Sequence, residues 1–117
     1  LAVKVEAATN RLGEVALHLG KKAGSAEFKV AFAHSLPFLH VIGDTIMAWM
    51  LLWRALTAAI QLSGKPKKKD IAFYEGQIKT AEFFIGTELP VTMGKMNAIA
   101  DGCEAAIEIS DEGFGGI

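Results

Sequence analysis

Hydrophobic and polar positions divide the chain into three long helical stretches. In the first, Leu1, Val5, Ala8, Leu12, Val15 and Leu19 recur at intervals of 4, 3, 4, 3 and 4, which is one apolar stripe on an amphipathic helix. Lys4, Asn10, Arg11, Glu14 and Lys21 take most of the remaining surface. Lys21 and Lys22 suit the negative end of the macrodipole and Gly24 offers a stop, so a helix is expected over 2–22. Ser25 reads as an N-cap, and 26–34, AEFKVAFAH, is helical by composition. Pro37 then interrupts the pattern, with Ser35 as a second cap. The segment 26–34 is either a separate short helix or the kinked start of the next one; a break is the expectation.

The second stretch, Leu36 to Leu62, is apolar nearly all round, its polar residues His40, Asp44, Thr45, Arg54, Thr57 and Gln61 being scattered. Such a helix is either a membrane span or the central helix of a bundle. A span needs roughly 18 apolar residues with few charges, but Asp44 and Arg54 leave only Thr45 to Trp53 between them. A charge deep in hydrocarbon is costly, so no membrane span is read here. The stretch is expected to be the buried middle helix, its sides covered by the other two, ending at Ser63-Gly64. Burial of each large apolar side chain stabilises by about 1.5–3 kcal/mol, and Trp49 and Trp53 are expected to contribute most.

In the last stretch Ile71, Tyr74, Ile78, Ala81, Ile85, Leu89, Met93, Met96, Ala100, Cys103 and Ile107 advance by 3, 4, 3, 4, 4, 4, 3, 4, 3 and 4. The mean is the α-helical repeat of 3.6. The stripe passes Pro90 in register, so one helix is expected over 70–109, kinked where Pro90 cannot bond the carbonyl of Gly86. The tail DEGFGGI is read as flexible, with Phe114 available to dock. The fold class is therefore all-α: an antiparallel helical bundle of three long helices plus one short or kinked helix, resembling a four-helix bundle.

Composition narrows the functions. The chain has 117 residues, 51% hydrophobic and 21% charged, which is one folded domain with a real core. A net charge of −1 argues against nucleic acid. KPKKKD after the second helix is short, lacks interleaved aromatics and reads as a solvated turn. One cysteine, Cys103, leaves no internal disulfide and fits a reducing compartment; with no secretory pattern at the N-terminus, a cytoplasmic location is expected. The start at Leu1, already helical, is read as that of a piece of a longer protein.

Candidate chemistry is sparse. Glu14–His18 and His40–Asp44 are i,i+4 carboxylate–imidazole pairs, but a di-iron bundle wants Glu-x-x-His twice, and that motif does not occur. Cys103 falls on the apolar stripe, so core packing is expected rather than nucleophilic chemistry. Met93 and Met96 with Phe73, Phe83 and Phe84 read as core or interface, and the acidic Glu104, Glu108, Asp111 and Glu112 as a solvated helix end. No residue is expected to be catalytic, cofactor-binding or metal-ligating.

From about Ala33 to Phe114 the chain resembles a known family. The features are PFLHVIGDTIMAWMLLWRAL, with Pro37, Phe38, Leu39, Gly43, Ala48, Trp49 and Arg54, and FYEGQIKTAEFFIGTELP, with Tyr74, Lys79, Ala81, Phe83, Phe84, Leu89 and Pro90. They are similar to the C-terminal helical extension of bacterial acyl-CoA dehydrogenases, in the subgroup of the methylmercaptopropionyl-CoA dehydrogenases. Asp44, where an apolar residue is expected, and the basic KPKKK depart from that pattern. The resemblance implies a parent flavoenzyme oxidising an acyl-CoA to the trans-2-enoyl-CoA, with FAD and the glutamate base in upstream domains. For this piece it implies a non-catalytic role, packing on those dehydrogenase domains or a neighbouring subunit. Excised from such a parent, the piece would expose the face that packs on it, so a homo-oligomer is expected in isolation. A free-standing helical interaction module is the alternative.

Overall fold

The computed structural model describes residues 1–116, and among them there are helices and connections but no strand. α1 covers Ala2–Ala23, α2 Phe28–Ala33, α3 Ser35–Ser63 and α4 Lys68–Phe83. A π-helical turn, Phe84–Glu88, joins α4 to α5, Leu89–Asp101, and a single turn, α6, follows at Ala105–Glu108. α3 runs antiparallel to α5, with Asp44 beside Thr92, and α1 runs alongside α5, with Arg11 beside Asn97. The three long rods thus form the antiparallel bundle that the periodicity predicts.

α1 ends as expected, at Gly24, with lysines in its last turn. The break after the first helix is also found, at His34, which separates α2 from α3. Ser25 plays another part: its Oγ donates to the carbonyl of Lys22 at 2.8 Å and accepts from the Glu27 amide at 3.1 Å, so it shapes the turn, and α2 starts later.

Several expectations need correction. The third helix does not run to 109. Gly102 adopts the left-handed conformation (φ 64°, ψ 45°), donates its amide to the carbonyls of Ala98 and Ile99, and ends α5 at Asp101. Glycine makes this helix end inexpensive, because a Cβ disfavours that backbone region. Cys103 therefore leaves the stripe and is exposed. Phe114 is not docked; it is 82% exposed.

The kink expected at Pro90 is realised as the π turn centred on Gly86. The turn widens the helix where proline lacks an N–H and its ring would meet the carbonyl of Gly86. The buried positions around it, Ala81, Ile85, Leu89, Thr92, Met96 and Ile99, keep one face turned to the core throughout.

The largest correction concerns α3. It is not wrapped by its neighbours: only 22% of its most apolar 18-residue window is buried, and Trp49 and Trp53 are more than half exposed. α1, α4 and α5 all lie against the same side of α3, that of Val41, Thr45, Ala48, Leu51, Ala55 and Ala58. Helix axes approach to about 8–10 Å according to the side chains between them. The small Ala48, Ala55 and Ala58 permit the close contact that Trp49 and Trp53 would prevent. Covering the opposite side would take another long helix, and α2 and α6 are six and four residues.

The result is elongated, 68 × 29 × 15 Å, with a radius of gyration of 19.6 Å, against about 13 Å for a compact chain of this length. At 1.5 Å per residue α3 spans about 43 Å and the rod from Lys68 to Asp101 about 50 Å, whereas α1 spans about 33 Å. The C-terminal part of α3 and α4 extend together as a two-helix hairpin.

Candidate functional site

The polar groups that are candidates for chemistry are kept apart by the fold. Arg11 Nη1 donates to Glu14 Oε2 at 2.8 Å, and its Nε and Nη2 donate to Asn97 Oδ1 on α5, so Glu14 serves a helix–helix contact. Asp44 turns to α5: the hydroxyl of buried Thr92 donates to its Oδ2 at 3.0 Å and to the carbonyl of Glu88 at 3.3 Å. Thus Asp44, which departs from the apolar expectation, has a cross-helix partner, and His40 lies exposed one turn earlier. His34 Nε2 donates to the carbonyl of Cys103 at 3.1 Å, tying the α2–α3 corner to the segment after α5.

Two groups have clearly moved titrations. Lys22 and Glu27 pair across the α1–α2 turn; their hydrogen bond pushes the lysine up and holds the glutamate below the usual carboxylate range. Glu27 is exposed and Lys22 half-buried, so the pair shapes a turn at the surface. Among the described residues no three His, Cys, Asp or Glu side chains gather around a metal-sized space. None of the buried side-chain N or O atoms described lacks a hydrogen-bond partner.

The feature with functional consequence is the outer side of α3. Leu39, Ile42, Ile46, Trp49, Trp53, Leu56 and Ile60 succeed one another at intervals of 3, 4, 3, 4, 3 and 4. All but the half-buried Ile42 are at least half exposed. The indole rings of Trp49 and Trp53 lie 5.9 Å apart, tilted by 35°. On one side of this seam Trp53, Arg54, Phe73, Tyr74 and Gln77 line a groove of about 240 Å³; on the other, Thr9, Leu12, Ile46 and Trp49 line one of about 280 Å³. Arg54 is the charged residue beside the seam on α3.

Apolar residues surround this helix, so spacing alone does not set the seam apart. The signal was available in side-chain size: one stripe is rich in Ala and Thr, the opposite one in Trp, Ile and Leu. A contiguous apolar face of this extent marks an interaction surface.

Fold and surface together define a class: a helical packing domain that offers one long apolar seam. The chain belongs to the family described as acetyl-CoA dehydrogenase C-terminal like, which it matches over residues 1–110. The match takes in α1, beyond the part from Ala33 onward that carries the resemblance. By that membership it is a C-terminal accessory domain of the acyl-CoA dehydrogenases. The chain is similar to the broad-specificity linear acyl-CoA dehydrogenase FadE5 of Mycobacterium tuberculosis, 29% identical over 80 residues, which is 68% of this chain and 13% of that protein. No solved structure matches the chain significantly. Of the residues carrying the resemblance, Ala48, Ala81 and Leu89 are in the core, Leu39 and Trp49 are on the seam, and Pro90 follows the π turn.

Proposed function

We propose that this chain is the non-catalytic packing domain of a cytoplasmic FAD-dependent acyl-CoA dehydrogenase that converts an acyl-CoA to the trans-2-enoyl-CoA. It docks on the dehydrogenase domains or on a neighbouring subunit and thereby orders the assembly. The observation that carries this reading is the uncovered seam of α3 in a chain of this family: a helix whose large apolar side chains face outward is built to be covered. Flavin and the base that removes the α-proton are assigned to the parent's other domains, as the family resemblance implies.

The test compares the full-length parent with a version lacking residues 1–117, recording bound flavin, acyl-CoA-dependent dye reduction and subunit assembly. Retained flavin and turnover with loss of assembly or thermal stability is the expected result. Retained flavin with lost turnover on one acyl-CoA would instead give the domain a part in shaping the substrate cleft. A parent without dehydrogenase activity would overturn the reading and leave a free-standing interaction module.

A further inference from the structure

We propose that the cleft between the first turns of α3 and the last turns of α5 binds a small anionic amphiphile, a carboxylate carried on a short apolar body. The inference goes beyond the packing role above and does not rest on it, because the cleft lies off the outer seam.

The cleft is a consequence of the bend between α2 and α3. His34 ends α2 and Pro37 stands in the first turn of α3, so the chain turns a corner beside the end of α5. The hydrogen bond from His34 Nε2 to the carbonyl of Cys103, 3.1 Å, holds that corner against the segment after α5. Between the two helices lies a cavity of about 300 Å³, at the lower end of the range of about 300–1,000 Å³ for small-ligand sites. Leu36 and Pro37 of α3 and Ala98 and Ile99 of α5 give it apolar walls, and Ile99, 1% exposed, is the floor. On α3 the lining residues Leu36 and His40 are four apart, on the flank toward α5 and not on the stripe from Leu39 to Ile60.

Charge selects the class of ligand. His40 and Lys95 line the cavity from the two helices, both exposed at its mouth, and no carboxylate of the described residues lines it. The ion pairs among those residues are Arg11–Glu14, Lys22–Glu27 and Lys79–Glu82, so Lys95 has no anionic partner among them. Asp44, one turn beyond His40, accepts from Thr92 instead. An ammonium and an imidazole N–H at one mouth offer a carboxylate two hydrogen bonds, the first of them charge-assisted. The first turn of α3 contains no acidic residue, so its positive dipole end adds to the same field.

The apolar walls narrow the choice further. A free phosphate would satisfy the mouth and leave the walls uncovered, and a cationic amphiphile would meet like charge at Lys95. A glutamate projecting from a docked protein surface would reach the mouth without filling the floor. A carboxylate on a short aliphatic chain does both.

NMR of isoleucine-methyl-labelled protein tests the proposal, on the 117-residue chain and on the full-length parent, with hexanoate, hexanol and hexylammonium as probes. Hexanoate should shift the Ile99 methyl signal and saturate with a dissociation constant on the order of 1 mM, as suits so small a ligand. Hexanol should bind about 5-fold more weakly, hexylammonium should not bind, and inorganic phosphate should not displace hexanoate. Lys95→Gln should weaken hexanoate about 5-fold and leave hexanol unchanged. Ala98→Phe, which fills the cleft from an exposed position, should abolish both while the helical circular dichroism stays the same. Equal binding of the three probes would overturn the proposal, as would no binding, displacement by phosphate, or binding indifferent to Lys95→Gln or Ala98→Phe. Loss of the Ile99 response in the parent would overturn it too, because the dehydrogenase domains would then fill the cleft. Every readout is of ligand binding and none of dehydrogenase activity, so failure here and failure of the family-based reading are told apart.

Discussion

Two isoleucines separate the core that the structure shows from the one that size alone would suggest. Ile85 sits in the π turn with no exposed surface, while Ile60 on α3 is 69% exposed. Truncating either to alanine deletes the same three carbons. At Ile85 the lost transfer free energy is about 2.4 kcal/mol, at about 0.8 kcal/mol per buried CH₂. A cavity term follows, because Ala81 and Leu89, one turn away on either side along the same buried face, cannot collapse fully into the space. Ile85→Ala should therefore cost about 2.5–5 kcal/mol, a fall in Tm of roughly 10–20 °C for a chain of this size. Ile60→Ala loses little burial, and alanine's better helix propensity offsets part of that, so a change within about 0.5 kcal/mol is expected. The assay is urea unfolding of the two variants at about 1 μM, followed by circular dichroism. Equal losses would refute the assignment of the inner and outer sides of α3.

Thr92→Val keeps the shape but removes the donor to Asp44, leaving a half-buried carboxylate without its cross-helix partner. A cost of about 1–2 kcal/mol in unfolding free energy is expected, larger than that of Asp44→Ala, which leaves the Thr92 hydroxyl bonded to Glu88. Gly102→Ala should lose about 1–2 kcal/mol from the left-handed backbone alone, since its Cβ would meet only ordinary contacts at 3.9 and 4.0 Å; Gly102→Asn should recover most of it. The Lys22–Glu27 tie has a pH signature. Glu27's lowered carboxyl keeps the tie intact above the ordinary carboxylate range and loses it as pH falls through its folded value. Lys22's raised amine loses it only as pH rises through the lysine's own elevated range. A carboxyl titration followed by NMR should place Glu27 low, and Lys22→Met should return it to the usual range.

Much of the helical layout was legible because helices announce themselves by spacing. The stop at Gly24, the break near Pro37 and the turn at Gly64 follow from local chemistry that tertiary contacts rarely override. The π turn left a trace as well. Ala81, Ile85, Leu89 and Met93 are separated by three consecutive intervals of 4, longer than the helical repeat, and a wider turn absorbs that excess. A mean repeat of 3.6 conceals it. The end at Gly102 was hidden for a related reason: Ala100, Cys103 and Ile107 keep helical spacing past the glycine, and spacing cannot show that one residue between them has turned left-handed.

The seam of α3 was harder to see, because apolar residues surround the helix and periodicity has no contrast to register. Sequence by itself determined that this protein is built of α-helices, roughly where the long ones lie, and which family it belongs to. Tertiary structure alone decided which side of α3 faces inward. Axes that approach closely accept alanine and threonine between them, so the bundle closed over Ala48, Ala55 and Ala58 and left the tryptophans outside.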